Sequence, residues 1–255
     1  MATLGGVAAR EEEPIGRHLP LRGDHTFELW VEAADEAELL AVIRAARAEK
    51  HTIRPVPPFT DALPPEAGLV GVAVRLGAGF ERIEAHPEGL RVGASVPLAQ
   101  VGLRTGYESL RGAPGVLADA WEEGWIAPML ARVRRFRSRG FEDVEDPAPD
   151  PRTLLVSAVL RPGVKVVAPR AGQAFRELKR RGVELRALLR MQGLSGLRLA
   201  GAMLANDDPA VLVNRGEGTP RQLRLLLQAA RERVMTTTGL TLDDRLWPAG
   251  RGGRL

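Results

Sequence analysis

The chain is predicted to be an α+β protein. Three observations predict it. A strand–helix–strand pattern opens the first third of the chain. A run of short alternating segments follows with little helix between them. The strongest helical signature lies near the C-terminal end, after two short strands around a polar turn.

Taken in order, residues 1–17 are expected to form a flexible leader of small residues, then Arg10 and the acidic run Glu11 to Glu13. Phe27 to Glu32 is predicted as a strand. In "DEAELLAVIRAARAEK", Asp35 is an N-cap with Glu38 at the capping-box position, and Leu39, Val42, Ile43 and Ala46 share one apolar face. Thr52–Val56 and Gly71–Leu76 are the next strands. Between them stand Pro57, Pro58, Phe59, Thr60 and Asp61, where an α/β chain would often place a glycine-rich ligand loop. Short strands are expected at Arg82–Ala85 and Leu90–Gly93, and "VPLAQVGLRTG" predicts a helix ending near Gly106. "RGAPGVLADAWEEGW" predicts a turn entering a short helix. "ARVRRFRSRG" predicts a strand with Val133 and Phe136 inward, "FEDVEDPAPDPRT" an acidic connector, and "TLLVSAVL" a strand. "AGQAFRELKRRGVELRALLRMQGL" is expected to be helical in two pieces with a break near Gly182. "GLRLAGAMLANDDPAVLVN" predicts two strands around a turn. The last helix starts at a capping box of Thr219 and Gln222 with Pro220 at its first position, buries Leu223, Leu226, Leu227, Ala230 and Val234, and stops at Gly239.

Composition narrows the function classes. An apolar share of 44% and a charged share of 27% fit a globular protein. No apolar run is long enough to cross a bilayer, and "MATLGGVAAREEEP" lacks the pattern of a secretory signal, so a cytoplasmic protein is expected. The absence of cysteine excludes disulfides, thiolate metal sites and a cysteine nucleophile. Lysine occurs only at 50, 165 and 179, so the formal charge of +4 rests on arginine.

Individual motifs are weighed against plainer roles. The dinucleotide fingerprint is absent, and "GAGF" at 77–80 is taken as a turn. His18, His25, His51 and His86 are scattered, and no metal site is expected. "RVRRFRSR" (132–139) offers phosphate contacts with Phe136 as a stacking ring. The competing and favoured reading is one strand face whose arginines pair with the acids at 142–146, so nucleic-acid binding is not expected. Asp207 and Asp208 in "ANDDP" suit a turn better than a metal or acid–base site. Asp243, Asp244 and Arg245 raise the same choice.

The ordered series "HTFELWVEAADEAELLAVIRAARAEKHTIRPV", "GLVGVAVRL", "VGASVPLAQV", "GAPGVLADA", "AGQAF", "GLSGLRLAGAMLANDDPAVLVN" and "GLTLDDRL" resembles the UDP-N-acetylenolpyruvoylglucosamine reductase (MurB) family from about residue 18 to 250. The resemblance implies an FAD-binding N-terminal region of the PCMH, or vanillyl-alcohol-oxidase, type and an α+β C-terminal domain. It implies segments at 18–76 (α/β), 77–162 (a second flavin-type subdomain) and 163–255 (the substrate domain).

Family members use NADPH to reduce FAD, which passes hydride to an enolpyruvyl UDP-sugar while an acidic side chain completes the proton transfer. The family's glycine-rich flavin-phosphate loop falls at Pro57–Asp61, making Thr60 and Asp61 the flavin contacts if FAD is bound. Its second flavin loop falls at 112–120, where Gly112, Pro114 and Gly115 match and Val116, Ala118 and Asp119 replace a hydroxyl and two glycines. The acid of the AGS motif falls at Gln173, the lysine of GLKG at Ser195, the turn histidine at Asp208 and the glutamate of LEPE at Arg245. No catalytic residue is therefore assigned.

The expected function is a degenerate MurB-like protein in peptidoglycan-precursor synthesis or division, with no cofactor. It would bind a UDP-sugar through Arg176 and Arg198, or a cell-wall or division protein. The alternative is an active FAD- and NADPH-dependent UDP-N-acetylmuramate dehydrogenase, with Asp243 or Asp244 replacing the missing acid.

Overall fold

The computed structural model describes residues 2–18, 21, 25–56, 63, 68–137, 140–145, 148, 153–169, 172–176, 178 and 183–244. Five strands form the first sheet: β1 (Ala2–Leu4), β2 (Val7–Pro14), β3 (Thr26–Ala33), β4 (Ile53–Pro55) and β5 (Leu69–Leu76), in the order β1-β2-β3-β5-β4. β3, β5 and β4 run parallel, with helix α1 (Glu36–Ala48) crossing between β3 and β4. Asp35 accepts a 2.9 Å bond from the Glu38 amide, and Glu38 accepts a 2.7 Å bond from the Ala34 amide. Leu39, Val42, Ile43 and Ala46 are fully buried against Val31, Ala33, Val72 and Val74. Each large aliphatic buried this way contributes about 1.5–3 kcal/mol. The opposite sheet face carries a separate cluster of Ile15, Phe27, Trp30, Val56, Leu69 and Ala73.

The flexible leader expected at 1–17 is corrected: β2 is hydrogen-bonded antiparallel to β3, and β1 antiparallel to β2. Their acidic run is interrupted at Glu12 (φ 49°), which pairs with no residue of β3, so Glu13 turns inward while Glu11 and Glu12 stay exposed. The β1–β2 turn lies against α1, and a Cβ on Gly5 (φ +61°) would sit 2.5 Å from the Ala41 carbonyl oxygen, so the turn needs glycine.

The second sheet is antiparallel throughout: β6 (Ile83–His86), β7 (Gly89–Gly93), β8 (Leu130–Arg137), β9 (Gly140–Val144) and β10 (Thr153–Leu160), in the order β6-β7-β10-β8-β9. Helices α2 (Leu98–Val101) and α3 (Leu117–Glu123) precede β8. α2 is a single turn and ends well before Gly106, because Gly102 follows it and the chain continues in tight turns. Residues 140–144 are a strand rather than a connector. Phe141 packs edge-on against Phe136 at 5.3 Å, and the acids beside it face arginines of β8.

The C-terminal part holds α4 (Leu185–Met191), a three-stranded sheet of β11 (Arg198–Leu199), β12 (Ala202–Leu204) and β13 (Leu212–Asn214), and α5 (Pro220–Thr238). Its core includes Phe175, Leu188, Leu189, Leu204, Leu212, Leu223, Leu226 and Leu227. Residues 172–176 are extended rather than helical. Gln173 bridges to Val211 and Phe175 to Asp244, so non-local pairing takes the backbone groups that a helix would use. α5 has the predicted cap: the Thr219 amide donates to Gln222 at 2.9 Å and the Gln222 amide to Thr219 at 3.3 Å.

Candidate functional site

The extended strand at 172–176, the first turn of α4 and the turn before β13 meet in one cluster. Gln173 is buried; its amide nitrogen donates to the Phe175 carbonyl at 2.9 Å, and its amide oxygen accepts from Arg186 at 3.3 Å. The Arg186 Nε donates to Asp208 Oδ2 at 2.9 Å, while Asp208 Oδ1 accepts from the Ala210 amide at 3.1 Å. Asp208 is 3% exposed, and Arg186 supplies a charged donor to its desolvated carboxylate. The positions aligned with the family's acid and turn histidine are thus joined through one arginine. Sequence reading missed Arg186, because an arginine beside the inward Leu185, Leu188 and Leu189 looks like an ordinary helix-flank residue.

"ANDDP" is a turn, as expected. The Val211 amide donates to the Asp208 carbonyl, and Arg190 reaches the Asp207 carbonyl rather than its carboxylate. Among the described residues no three His, Cys, Asp or Glu side chains group as metal ligands. Arg176 and Arg198 are both exposed. The Arg176 amide donates to the Asp243 carbonyl at 2.8 Å, and Arg198 lies on β11 opposite Met203. Among the described residues no hydrogen bond joins the two arginines. Asp244 pairs with Arg231 of α5, and Asp243 is exposed.

The second loop, 112–120, has left-handed turns at Gly112 and Gly115, both with φ near +74°. Its next three amides are bonded within the chain. Val116 donates to Asp119 Oδ2 at 3.1 Å, Leu117 to the Val96 carbonyl at 3.1 Å and Ala118 to the Ala94 carbonyl at 2.9 Å. The Asp119 carboxylate also covers Gly115, where an added Cβ would meet it at 2.8 Å. Glu122, further along α3, has its carboxyl pushed up to about 7 by burial, with the charge of Glu123 adding to it. Thr60, Asp61 and Arg245 lie outside the described residues, as do Pro57, Pro58 and Phe59.

The arginine strand behaves as one paired face. Arg132 bonds Glu88 and Glu145, Arg134 bonds Glu36 and Asp143, and Arg135 bonds Glu142. Phe136 is fully buried and offers no ring for a base to stack on.

With this geometry in place, the comparisons are informative. Residues 164–245 match the family model of the UDP-N-acetylenolpyruvoylglucosamine reductase C-terminal domain. That span contains Gln173, Arg186 and Asp208. The chain is MurB-like. A UDP-N-acetylenolpyruvoylglucosamine reductase of Heliobacterium modesticaldum is 23% identical over 95% of this chain and 91% of its own. One from Anaeromyxobacter sp. is 26% identical over 92% of this chain and 86% of its own. The MurB crystal structure from Thermus caldophilus superposes with a TM-score of 0.72 at 20% identity, covering 95% of this chain and 99% of that one. The MurB-like fold therefore extends over both sheets and the C-terminal domain. Among the described residues no helix is long and apolar enough to cross a membrane.

Proposed function

We propose that this MurB-like protein serves peptidoglycan-precursor synthesis in the cytoplasm as a nucleotide-sugar-binding or scaffolding component, without reductase chemistry. The carrying observation is the Gln173–Arg186–Asp208 cluster. A glutamine amide has no proton to give near neutral pH, and the buried Asp208 carboxylate is taken up by Arg186 and the Ala210 amide. The position aligned with the family's proton donor and the one aligned with its turn histidine are therefore both committed to internal contacts.

The cofactor loops support the same reading. FAD would need its diphosphate to meet open backbone amides. Pro57 and Pro58 have no N–H to offer. At 116–118 the amides are already bonded, and the Asp119 carboxylate stands where an approaching phosphate would be repelled. These residues do not fit a flavin diphosphate. The exposed Arg176 and Arg198 of the C-terminal domain are the residues proposed to hold the nucleotide-sugar diphosphate.

The experiment is calorimetric titration with UDP-N-acetylglucosamine, run beside an NADPH-oxidation assay supplied with FAD and the enolpyruvyl UDP-sugar. The proposal expects saturable binding, weakened about tenfold or more in Arg176→Ala and Arg198→Ala, and no substrate-stimulated oxidation. Stimulated oxidation would establish the active reductase in its place.

A further inference from the structure

A cleft of about 360 Å³ is lined by the first turn of α1 and by residues of the second sheet, and none of its lining residues belongs to the loop at 112–120 or to the C-terminal cluster. Arg82, Glu84, Arg91, Arg134, Ser157 and Glu36 are among its lining residues. Asp35 also lines it and accepts from the Glu38 amide as the α1 cap, and Arg134 makes a two-pronged pair with Glu36, at 2.7 and 2.8 Å, and also bonds Asp143. Among the described residues, Arg82, Arg91 and Glu84 have no hydrogen bond or ion pair from their side chains, although Glu84 and Arg91 face each other in register across β6 and β7. The half-buried Ser157 on β10 is in the same position.

We infer that this cleft binds a small hydroxyl-bearing anion of the sugar-phosphate class. Two guanidiniums with unspent donors suit a phosphate or carboxylate. The carboxylate of Glu84 suits a ligand hydroxyl, which donates to it, and disfavours a bare anion that brings only more negative charge. The volume falls at the small end of ligand sites, which suits a monosaccharide phosphate. The inference uses residues separate from Arg176 and Arg198, so it stands or falls independently of the function proposed above.

The test is calorimetric titration of the full chain with glucose 1-phosphate, inorganic phosphate and glucose. Glucose 1-phosphate is expected to bind saturably and at least about tenfold more tightly than phosphate, with glucose weaker still. Arg82→Ala, on an exposed loop, and Arg91→Lys, which keeps the charge, are each expected to weaken it, while Arg176→Ala and Arg198→Ala leave it unchanged. No saturable binding, equal affinity for phosphate, or affinity unmoved by Arg82→Ala and Arg91→Lys would overturn the inference.

Discussion

At the residue scale, Gln173 and Asp208 are held by contacts within the C-terminal part of the chain. Gln173 and Asp208 were visible in the sequence as departures from the family pattern, and an amide at 173 was enough to question the proton donor. That they share a partner was not visible, because Arg186 reaches them across 13 and 22 residues of chain. Arg186→Ala removes a charged donor from the buried Asp208 carboxylate and from the Gln173 amide oxygen, and a loss of about 3–5 kcal/mol in denaturant unfolding is expected. Arg186→Met combined with Asp208→Leu should recover much of that loss, since neither charge then needs a partner. Glu122 gives a pH prediction. Its carboxyl, raised to about 7 in the fold, holds a proton that the unfolded chain releases near 4.5. The folded state thus binds more protons between these values, so its stability falls as pH rises through that window and levels off above it. Glu122→Gln should flatten this part of the melting-temperature profile and melt higher than the parent at about pH 8.

At the scale of elements, those with local signatures were legible. α1 and α5 each carry a cap and an apolar stripe, and both fold as read. The elements that were missed depend on distant partners. β2 contains the run Arg10 to Glu13, which looks solvated until the irregularity at Glu12 turns Glu13 towards His18, with the imidazole 3.0 Å from the carboxylate and stacked 3.8 Å from the Trp30 ring. β9 hides among acids whose partners are the arginines of β8. Residues 172–176 have helix-compatible composition and are extended because Val211 and Asp244 bridge to them. Burial pushes the Glu13 carboxyl up, but His18 and the charges of Arg10 and Arg17 outweigh it and hold the carboxyl below its ordinary value. Its contribution is therefore present above about 4.5 and lost as pH falls through the depressed value. Glu13→Gln should lower the melting temperature at neutral pH by more than it does in acid, measured by circular dichroism. Thr219→Ala removes the α5 cap and should cost about 1 kcal/mol in denaturant unfolding.

At the scale of the whole molecule, a MurB-like frame is retained across both sheets and the C-terminal domain. Within that frame, the amides of 116–118 are bonded inside the chain and Gln173 is held by Arg186. The general architecture was legible because it follows from apolar alternation and capped helices. The state of the loop at 112–120 was not, because it depends on which acceptors the fold brings to its amides: the carbonyls of Ala94 and Val96 take two of them and the Asp119 carboxylate the third. The central claim is that this frame no longer takes up flavin. Equilibrium titration of the purified protein with FAD, followed by flavin fluorescence and visible absorbance after desalting, tests it most directly. The account predicts a colourless protein with no saturable change, and a yellow protein retaining one FAD per chain would contradict it.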